Sequence, residues 1–315
     1  MSVIERLVFF GTPKFAVPSL DALVAAGRPP AWVVTQPPRP AGRGRRALEP
    51  PVATRAGELG LAVRFVERVK SPDFLAELAA LAPDLATVVA FGQIFPSELL
   101  ALPRLGCLNL HASLLPRWRG AAPIPAAIAA GDTLTGVSVQ RMESALDSGP
   151  VYGERAVAIG AEETAGELAL RLARLGAELL VETVAALERG EAVARIQDAA
   201  RVTFAPKLPG PLPLDLASPA AELARRVRAG APEPGATLAA GGEALRVLAA
   251  RELAPAGAVA EPPGRVLGVA GEALRVAAGS GSVLGLLRVQ RPGRGPVSGR
   301  DYANGARLAP GDTLS

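Results

Sequence analysis

The sequence contains a single histidine, which lies two positions after an asparagine in the stretch CLNLHA. Side chains of a β-strand alternate between its two faces, so Asn109 and His111 are predicted to share one face while Leu108 and Leu110 occupy the other. A half-buried structural histidine is the ordinary alternative for such a position. A functional site is favoured because both faces of a buried parallel strand are normally apolar, and two idle polar side chains there would cost free energy.

An aspartate follows the next predicted strand. The apolar segment GVSVQRM precedes ALDSG, so Asp147 is expected to leave a neighbouring strand end within reach of His111. A neutral imidazole can take the proton of an attacking amine, and the Asn109 amide can donate to an oxygen that becomes negative as a carbonyl turns tetrahedral. Asp147 can orient the imidazole or stabilise its cation. The three residues predict acyl transfer to an amine, and without a Ser or Cys elbow motif direct transfer is favoured over a covalent intermediate.

The elements that must position these side chains alternate between short apolar runs and helical patterns. Such alternation is typical of βαβ units, and it predicts an α/β fold with a Rossmann-like, doubly wound and mostly parallel sheet. Ser71 and Pro72 are predicted to begin one helix, and a leucine pattern predicts a longer one over about residues 164–188. Ligands of open sheets bind beyond the carboxyl ends of the strands, near a topological switch point, where Asn109 and His111 are expected.

The first predicted strand ends in FFGTPKF, at the place where a dinucleotide-binding protein carries its glycine-rich turn. Only Gly11 is present, so the G-x-G-x-x-G spacing is missing and a nicotinamide cofactor is disfavoured. Gly11 and Thr12 either approach a ligand closely or form the tight turn into the following helix, and the sequence leaves both interpretations open.

The length of 315 residues predicts two domains. The first, residues 1–196, is the catalytic domain with the α/β pattern, and a proline-rich linker is predicted over residues 197–213. Residues 214–315 carry short β-like runs separated by Gly and Pro, and GEALRV occurs there twice. These runs predict an OB-like barrel as the smaller second domain.

Charge and composition restrict the partners. Residues 206–315 hold 13 Lys and Arg against nine Asp and Glu, so the net charge of +4 lies in the C-terminal third. This asymmetry suggests a polyanionic partner, and a genomic bias towards arginine is the alternative explanation. One cysteine and one histidine cannot form a disulfide or a Cys/His zinc site, so no metal is expected. The apolar runs are far shorter than the ~20 residues of a membrane span, and a cleavable leader is not evident, so the expected localisation is cytoplasmic.

A second basic feature is the segment QPPRPAGRGRRALEPP, residues 36–51, with four arginines and a single acidic residue. A solvated surface loop is the simple interpretation. Guanidinium groups bind phosphates in a bidentate manner and stack on unpaired bases, so a nucleic-acid contact is favoured. The candidate contact residues are Arg39, Arg43, Arg45 and Arg46.

Taken together, these motifs resemble those of the methionyl-tRNA formyltransferases. The resemblance is carried by FFGTPKFAVPSL, TQPPRPAGRGRR, VVAFGQIFP, GCLNLHASLLPRWRGAAPI, TGVSVQRMESALDSG and IQDAARVTFAPKL, and it spans about residues 6–208. It implies transfer of the formyl group of 10-formyltetrahydrofolate to the amino group of methionine on initiator tRNA. It also implies that Asn109, His111 and Asp147 are the catalytic residues.

The resemblance extends to the binding sites. It implies a folate site at Phe91, Gly92, Ile94, Ser113, Leu114, Leu115 and Pro116. It further implies that the basic segment from Arg39 to Arg46 enters the acceptor stem, with Arg43 as the principal residue. The expected partners are the acceptor stem of initiator methionyl-tRNA and the folate co-substrate, without a membrane, and the chain is expected to act as a monomer.

Two other functions remain open. Another folate-dependent formyltransferase, acting on a nucleotide-linked amino sugar or on glycinamide ribonucleotide, would carry a similar Asn-x-His and Asp set but would not need the basic segment or the basic second domain. A non-catalytic RNA-binding protein on an inherited fold would have no reason to retain Asn109, His111 and Asp147.

Overall fold

The computed structural model describes residues 3–41, 46–240, 242–254 and 260–314. The chain divides into two compact units. Unit 1 comprises Met1–Pro123, Leu134–Ala158 and Ala169–Pro206, and unit 2 comprises Ile124–Thr133, Ile159–Leu168 and Lys207–Ser315.

The N-terminal two thirds of the chain form an alternation of strands and helices, as predicted. The strands are β1 Leu7–Gly11, β2 Trp32–Thr35, β3 Arg39–Ala41, β4 Arg46–Leu48, β5 Val63–Phe65, β6 Leu85–Val89, β7 Cys107–His111, β8 Leu134–Arg141 and β9 Val151–Ala158. The helices are α1 Val17–Ala25, α2 Pro51–Glu58, α3 Pro72–Leu81, α4 Ser97–Leu100, α5 Pro123–Ala130 and α6 Ala165–Arg189.

The main sheet of unit 1 has the order β5-β2-β1-β6-β7-β8-β9. The pairs from β5 through β7 are parallel, whereas β8 runs antiparallel to β7, and β9 antiparallel to β8. This arrangement confirms the predicted α/β fold with a Rossmann-like, mostly parallel sheet. The chain order reverses between β1 and β6, so β7 lies one strand beyond the switch point.

Packing explains why the central strands are so apolar. Every residue of β1 and β6 is buried, as expected for strands covered on both faces. On one face, Phe10 makes edge-to-face contacts with Phe74, Phe91 and Phe95 at ring-centroid distances of 4.9–6.3 Å. Phe91 and Phe95 belong to the segment that follows β6, so these contacts pack that segment against Phe10 of the sheet.

The predicted helix starts are found in the structure. α3 begins at Pro72 with Ser71 at the N-cap position. α6 begins after Thr164, whose hydroxyl accepts from the Glu167 amide at 3.3 Å while the Glu167 carboxylate accepts from the Thr164 amide at 2.9 Å. This reciprocal capping supplies partners for amides that a helix start leaves unpaired.

The basic segment is not a plain loop. β3 and β4 pair antiparallel, with Arg39 opposite Leu48 and Ala41 opposite Arg46. Such a short pair depends on backbone hydrogen bonds and leaves Leu48 exposed, so it carries no apolar alternation from which it could be predicted.

The first residues of the predicted linker are bound to unit 1. The Arg119 amide donates to the Thr203 carbonyl at 2.9 Å, and the Ala205 amide donates to the Arg119 carbonyl at 2.7 Å. The side chain of Gln197 is buried. Residues 197–205 therefore belong to the packing of unit 1, and prolines predominate only after them.

Unit 2 contains a second, β-rich sheet. Its elements are β10 Leu212–Pro213, α7 Ala220–Gly230, β11 Ala236–Ala240, β12 Glu243–Leu253, β13 Val266–Ala270, β14 Ala273–Ala278, β15 Ser282–Gln290, β16 Val297–Ser298 and α8 Gly299–Ala306. The order is β10-β11-β12-β15-β14-β13, and β16 pairs with β15. The two GEALRV copies contribute to β12 and β14, which flank β15, and this placement agrees with two similar strands of one sheet.

A buried carboxylate anchors the amino edge of the main sheet. Asp84 Oδ2 accepts from the amides of Glu5 and Arg6, both at 3.0 Å, and Oδ1 accepts from the Arg104 guanidinium at 3.0–3.1 Å. Burial by itself would raise the pKa of the Asp84 carboxyl, but the Arg6 amide, the Arg104 guanidinium and the Glu5 amide outweigh it and hold the pKa below its ordinary value.

The Asp84→Asn variant is expected to lower the free energy of unfolding by about 2 kcal/mol at neutral pH, because charge-assisted hydrogen bonds are lost. With its pKa lowered by folding, Asp84 stabilises the protein fully above the ordinary carboxyl pKa of about 3.9, and this contribution is lost as the pH falls through the lower folded-state value. Urea unfolding of both proteins from neutral pH to about pH 2 measures the difference. A difference that does not shrink in acid would contradict the role of the charge.

Candidate active site

Asn109 and His111 lie on β7, opposite Gln140 and Ser138 of β8. Residues directly opposite each other on paired strands project from the same face. The polar face predicted for β7 therefore continues onto β8. Val88 of β6 lies on the other side of Asn109, so the polar patch begins at β7.

The route by which Asp147 reaches this patch differs from the predicted one. Because β8 is antiparallel to β7, its C-terminal residue Arg141 lies opposite Leu108, near the start of β7. The loop after β8 must therefore turn back along the strand. Gly149 permits this return, since a Cβ there would overlap the Arg141 carbonyl oxygen, and Asp147 adopts a left-handed backbone conformation with φ of 48°.

The Asp147 carboxylate is surrounded by donors. Its Oδ1 accepts from Asn109 Nδ2 at 3.2 Å and from Gln140 Nε2 at 2.9 Å. Its Oδ2 accepts from the Gly120 amide at 2.8 Å and lies 3.7 Å from His111 Nδ1. The side chains of His111 and Asp147 are only 6% and 10% exposed. The structure thus brings the three predicted residues together in one largely buried cluster.

The other nitrogen of His111 is held by the loop that follows β7. Nε2 lies 2.8 Å from the Trp118 carbonyl oxygen. A carbonyl oxygen can only accept, so Nε2 carries the proton of this hydrogen bond and Nδ1 carries the lone pair of the neutral ring. His111 therefore has its basic nitrogen, Nδ1, on the side of Asp147. Gly120 lets the same loop pass close to Ala205, because a Cβ at Gly120 would lie 2.6 Å from the Ala205 carbonyl oxygen.

Two glutamines in the cluster were not identified as candidates by the sequence analysis. Gln140 could have been found from strand alternation, since it shares the face of Asn109. Gln197 is 7% exposed and donates to the carbonyls of Asp147 and Gly149 at 2.8 and 2.7 Å. Only the tertiary fold brings it there, across about 50 residues of chain.

The residues expected to bind folate fall into two groups. Gly92 and Ile94 follow β6 at the carboxyl edge of the sheet, and the Ile94 side chain is 82% exposed. Phe91, Ser113, Leu115 and Pro116 are buried, and Leu114 is half-buried. Among these residues only Gly92 and Ile94 are exposed, and Leu114 is partly accessible.

Hydrogen bonds within unit 1 hold the second group. The Ser113 hydroxyl donates to the Arg117 carbonyl at 2.5 Å, and the Leu115 amide donates to Ser138 Oγ at 3.0 Å. At Gly92 and Ile94, by contrast, an exposed apolar side chain stands near an exposed glycine backbone with φ of 83°.

The four arginines of the basic segment are only partly described. Arg39 is exposed on β3, and Arg46 lies on the paired strand β4. Arg43 and Arg45 lie outside the described residues.

Burial and packing account for Cys107 and Gly11 of unit 1. Burial raises the pKa of the Cys107 thiol to about 12, so it is not a nucleophile at neutral pH. A Cβ at Gly11 would lie 2.7 Å from the Phe9 ring and 2.9 Å from Ala16, so the tight-turn interpretation of Gly11 is favoured.

The described residues of both units hold no group of three or more His, Cys, Asp or Glu placed to bind a metal ion. No described helix is long and apolar enough to cross a membrane.

Family models match most of the chain. Residues 5–184 match the family described as formyl transferase, and residues 213–307 match the family described as formyl transferase, C-terminal domain. The chain is also 49% identical over 310 residues to the methionyl-tRNA formyltransferase of Halorhodospira halophila, with 98% of this chain and 99% of that protein covered. For the methionyl-tRNA formyltransferase of Frankia alni the identity is 45%, with 98% and 94% covered.

Solved structures share the fold at low identity. A sugar 3N-formyl transferase determined with dTDP and 5-N-formyl-THF gives a TM-score of 0.66 at 13% identity, covering 93% of this chain and 100% of that one. HypX from Aquifex aeolicus with tetrahydrofolic acid gives a TM-score of 0.61 at 16% identity, covering 98% of this chain and 50% of that one.

Proposed function

We propose that the chain transfers the formyl group of 10-formyltetrahydrofolate to the amino group of methionine on initiator methionyl-tRNA. The chain belongs to the methionyl-tRNA formyltransferase family, and this membership is the first support for the proposal. Besides the near-complete match to these relatives, one observation supports this activity. A carboxylate, an imidazole and a carboxamide meet in a buried cluster beside the carboxyl edge of the sheet. They are the groups needed to move a proton from an amine and to stabilise an oxyanion.

We assign Asn109 to the developing negative charge. The folate supplies a formyl carbon that becomes tetrahedral when the amine nitrogen attacks it. The Asn109 amide has two N–H groups, of which one binds Asp147, and the second can donate to the formyl oxygen as it becomes negative. Because Asp147 and the strand fix the amide before reaction, this stabilisation requires little reorganisation.

His111 is assigned to the proton. Since Nε2 donates to Trp118, Nδ1 is the nitrogen that accepts a proton from the attacking amine. The imidazolium then lies 3.7 Å from the Asp147 carboxylate, which stabilises its charge. As the C–N bond to the folate breaks, the same proton can pass to the departing nitrogen, so His111 returns to its neutral form and the formyl group is on the amine.

We also assign the residues that bind the two substrates. For the folate they are Phe91, Gly92, Ile94, Ser113, Leu114, Leu115 and Pro116. Ile94 and Gly92 are supported by their exposure at the carboxyl edge. We assign contacts with phosphates of the acceptor stem to four arginines, namely Arg39, Arg43, Arg45 and Arg46. The positive charge of this segment supports the assignment.

The domain roles also remain proposals. Residues 1–196 are assigned as the catalytic domain, 197–213 as the linker, of which 197–205 pack against unit 1, and 214–315 as the tRNA-binding domain. An OB-like fold for the last is supported by the β13-β14-β15 meander with β12 and β11 beside it. A role in translation initiation places the protein in the cytoplasm, and we propose that it acts as a monomer.

The Arg43→Ala variant is expected to raise the KM for charged initiator tRNA and to reduce the slope of log affinity against log salt by about 1, since one phosphate contact releases about one counterion. Affinity measured at several salt concentrations gives the slope. An unchanged slope together with an unchanged KM would remove Arg43 from the tRNA interface.

An acceptor competition tests the function itself. The protein is supplied with formyl donor and equal amounts of charged initiator tRNA, a nucleotide-linked amino sugar and glycinamide ribonucleotide. Formylation of the tRNA is expected to dominate. Preference for the amino sugar or the ribonucleotide would replace the proposal with the corresponding small-molecule formyltransferase.

A further inference from the structure

The side chain of Gln197 connects two loops of the cluster. Its Nε2 donates to the carbonyl oxygens of Asp147 at 2.8 Å and Gly149 at 2.7 Å. Its Oε1 accepts from Arg119 Nε at 3.1 Å and from Nη2 at 2.7 Å. Gln140 Oε1 is a third acceptor, 3.3 Å from the same Nε2, so both ends of the Gln197 carboxamide are engaged.

The carbonyls that Gln197 holds belong to a loop whose position is costly to maintain. Asp147 is in a left-handed conformation that L-residues rarely adopt, and the loop must double back along β8. Surrounding contacts have to fix such a backbone. Gln197 binds the backbone of this loop on both sides of Ser148, and Gln140 donates to the Asp147 carboxylate at 2.9 Å.

The Oε1 end of Gln197 contacts Arg119, which lies on the loop that orients the His111 ring. Arg119 follows Trp118, whose carbonyl accepts from His111 Nε2, and precedes Gly120, whose amide donates to Asp147. Gln197 thus joins the loop that orients the imidazole to the loop that carries the carboxylate.

We propose that Gln197 is a positioning residue that holds the Asp147 carboxylate at the distance at which it can stabilise the protonated His111. This inference deepens the proposed function, since it concerns the same site. Gln197 acts through the backbone of Asp147 and Gly149, so its removal affects the chemical step rather than the binding of either substrate.

Two substitutions separate this role from a simple structural one. Gln197→Ala removes both ends of the contact. Gln197→Glu has nearly the same shape and strengthens the bond to Arg119, but as a carboxylate it cannot donate to the carbonyls of Asp147 and Gly149. Both variants are expected to lower kcat by about 10- to 100-fold while the KM for tRNA changes less than about threefold, as expected for a misplaced catalytic group. A Gln197→Glu variant with wild-type kcat would overturn the proposal.

A second measurement does not depend on activity. Because the chain has one histidine, protein made without a histidine tag and labelled with ¹⁵N-histidine reports on His111 alone. The ring nitrogen resonances at neutral pH are expected to shift in both Gln197 variants and to stay unchanged in Asp84→Asn, which loses a buried carboxylate at the other edge of the sheet.

These readouts distinguish two failures. A wild-type protein that formylates no tRNA would refute the proposed function, while the resonances would still decide the role of Gln197. Wild-type resonances in both Gln197 variants would refute the positioning role even if tRNA is formylated.

Discussion

Replacing His111 with alanine is expected to lower the rate constant for formyl transfer by about 10²- to 10⁴-fold, the usual contribution of a positioned acid or base. The reason is specific to this site. Nε2 is bound to the Trp118 carbonyl, so only Nδ1 can accept the amine proton, and no other described imidazole is available to replace it. Single-turnover formylation of charged initiator tRNA measures the chemical step, and direct binding of the tRNA is expected to be nearly unchanged.

His111→Gln provides the matched control for this experiment. The glutamine amide can still donate to the Trp118 carbonyl and so preserve the loop, but it has no basic nitrogen. We expect it to be as inactive as His111→Ala. If His111→Gln retained wild-type turnover, the histidine would serve only to hold the loop, and its assignment as the proton carrier would be wrong.

The second large effect is expected for Asp147→Asn, with a fall in kcat on the order of 10²- to 10³-fold. The substitution keeps the shape of the side chain but removes the charge that stabilises the imidazolium. In the native site Asp147 accepts from the Gly120 amide at one oxygen and from Asn109 and Gln140 at the other. The NH2 group of the introduced amide would therefore face a donor in either orientation. Single-turnover rates over a range of pH measure the loss.

Asp84→Asn is the control for this substitution, because it makes the same chemical change in another hydrogen-bonded, buried carboxylate at the amino edge of the sheet. It is expected to lose stability but to keep its kcat. Equal losses of activity in Asp84→Asn and Asp147→Asn would mean that general destabilisation, rather than the position of the charge, explains the effect.

Local sequence patterns were sufficient for several features. Alternation along β7 places Asn109 and His111 on one face, because the period of two is a property of the extended chain itself. The alternating apolar runs predict the mostly parallel sheet, and the comparisons and the strand order bear this out. The start of α3 follows from Ser71 and Pro72, whose effects act within one helical turn, and α6 follows from the leucine pattern.

Features that depend on strand direction, or on backbone pairing alone, could not be predicted from the sequence. The sequence indicates that Asp147 follows a strand, but it does not indicate that β8 runs antiparallel to β7, so the loop has to return along the strand. Likewise, the β3–β4 pair buries little apolar surface and therefore leaves no periodic signal in the sequence.

Local patterns in the sequence specify the chemical groups of the site: a lone His111 beside Asn109 on one strand face, and Asp147 on a later loop. Tertiary contacts specify which nitrogen of His111 can accept a proton and which groups hold Asp147. They do so because the Trp118 carbonyl acts across a loop and the Gln197 amide acts across about 50 residues. Such contacts are set by the packing of the sheet and its loops, and they have no counterpart in local periodicity.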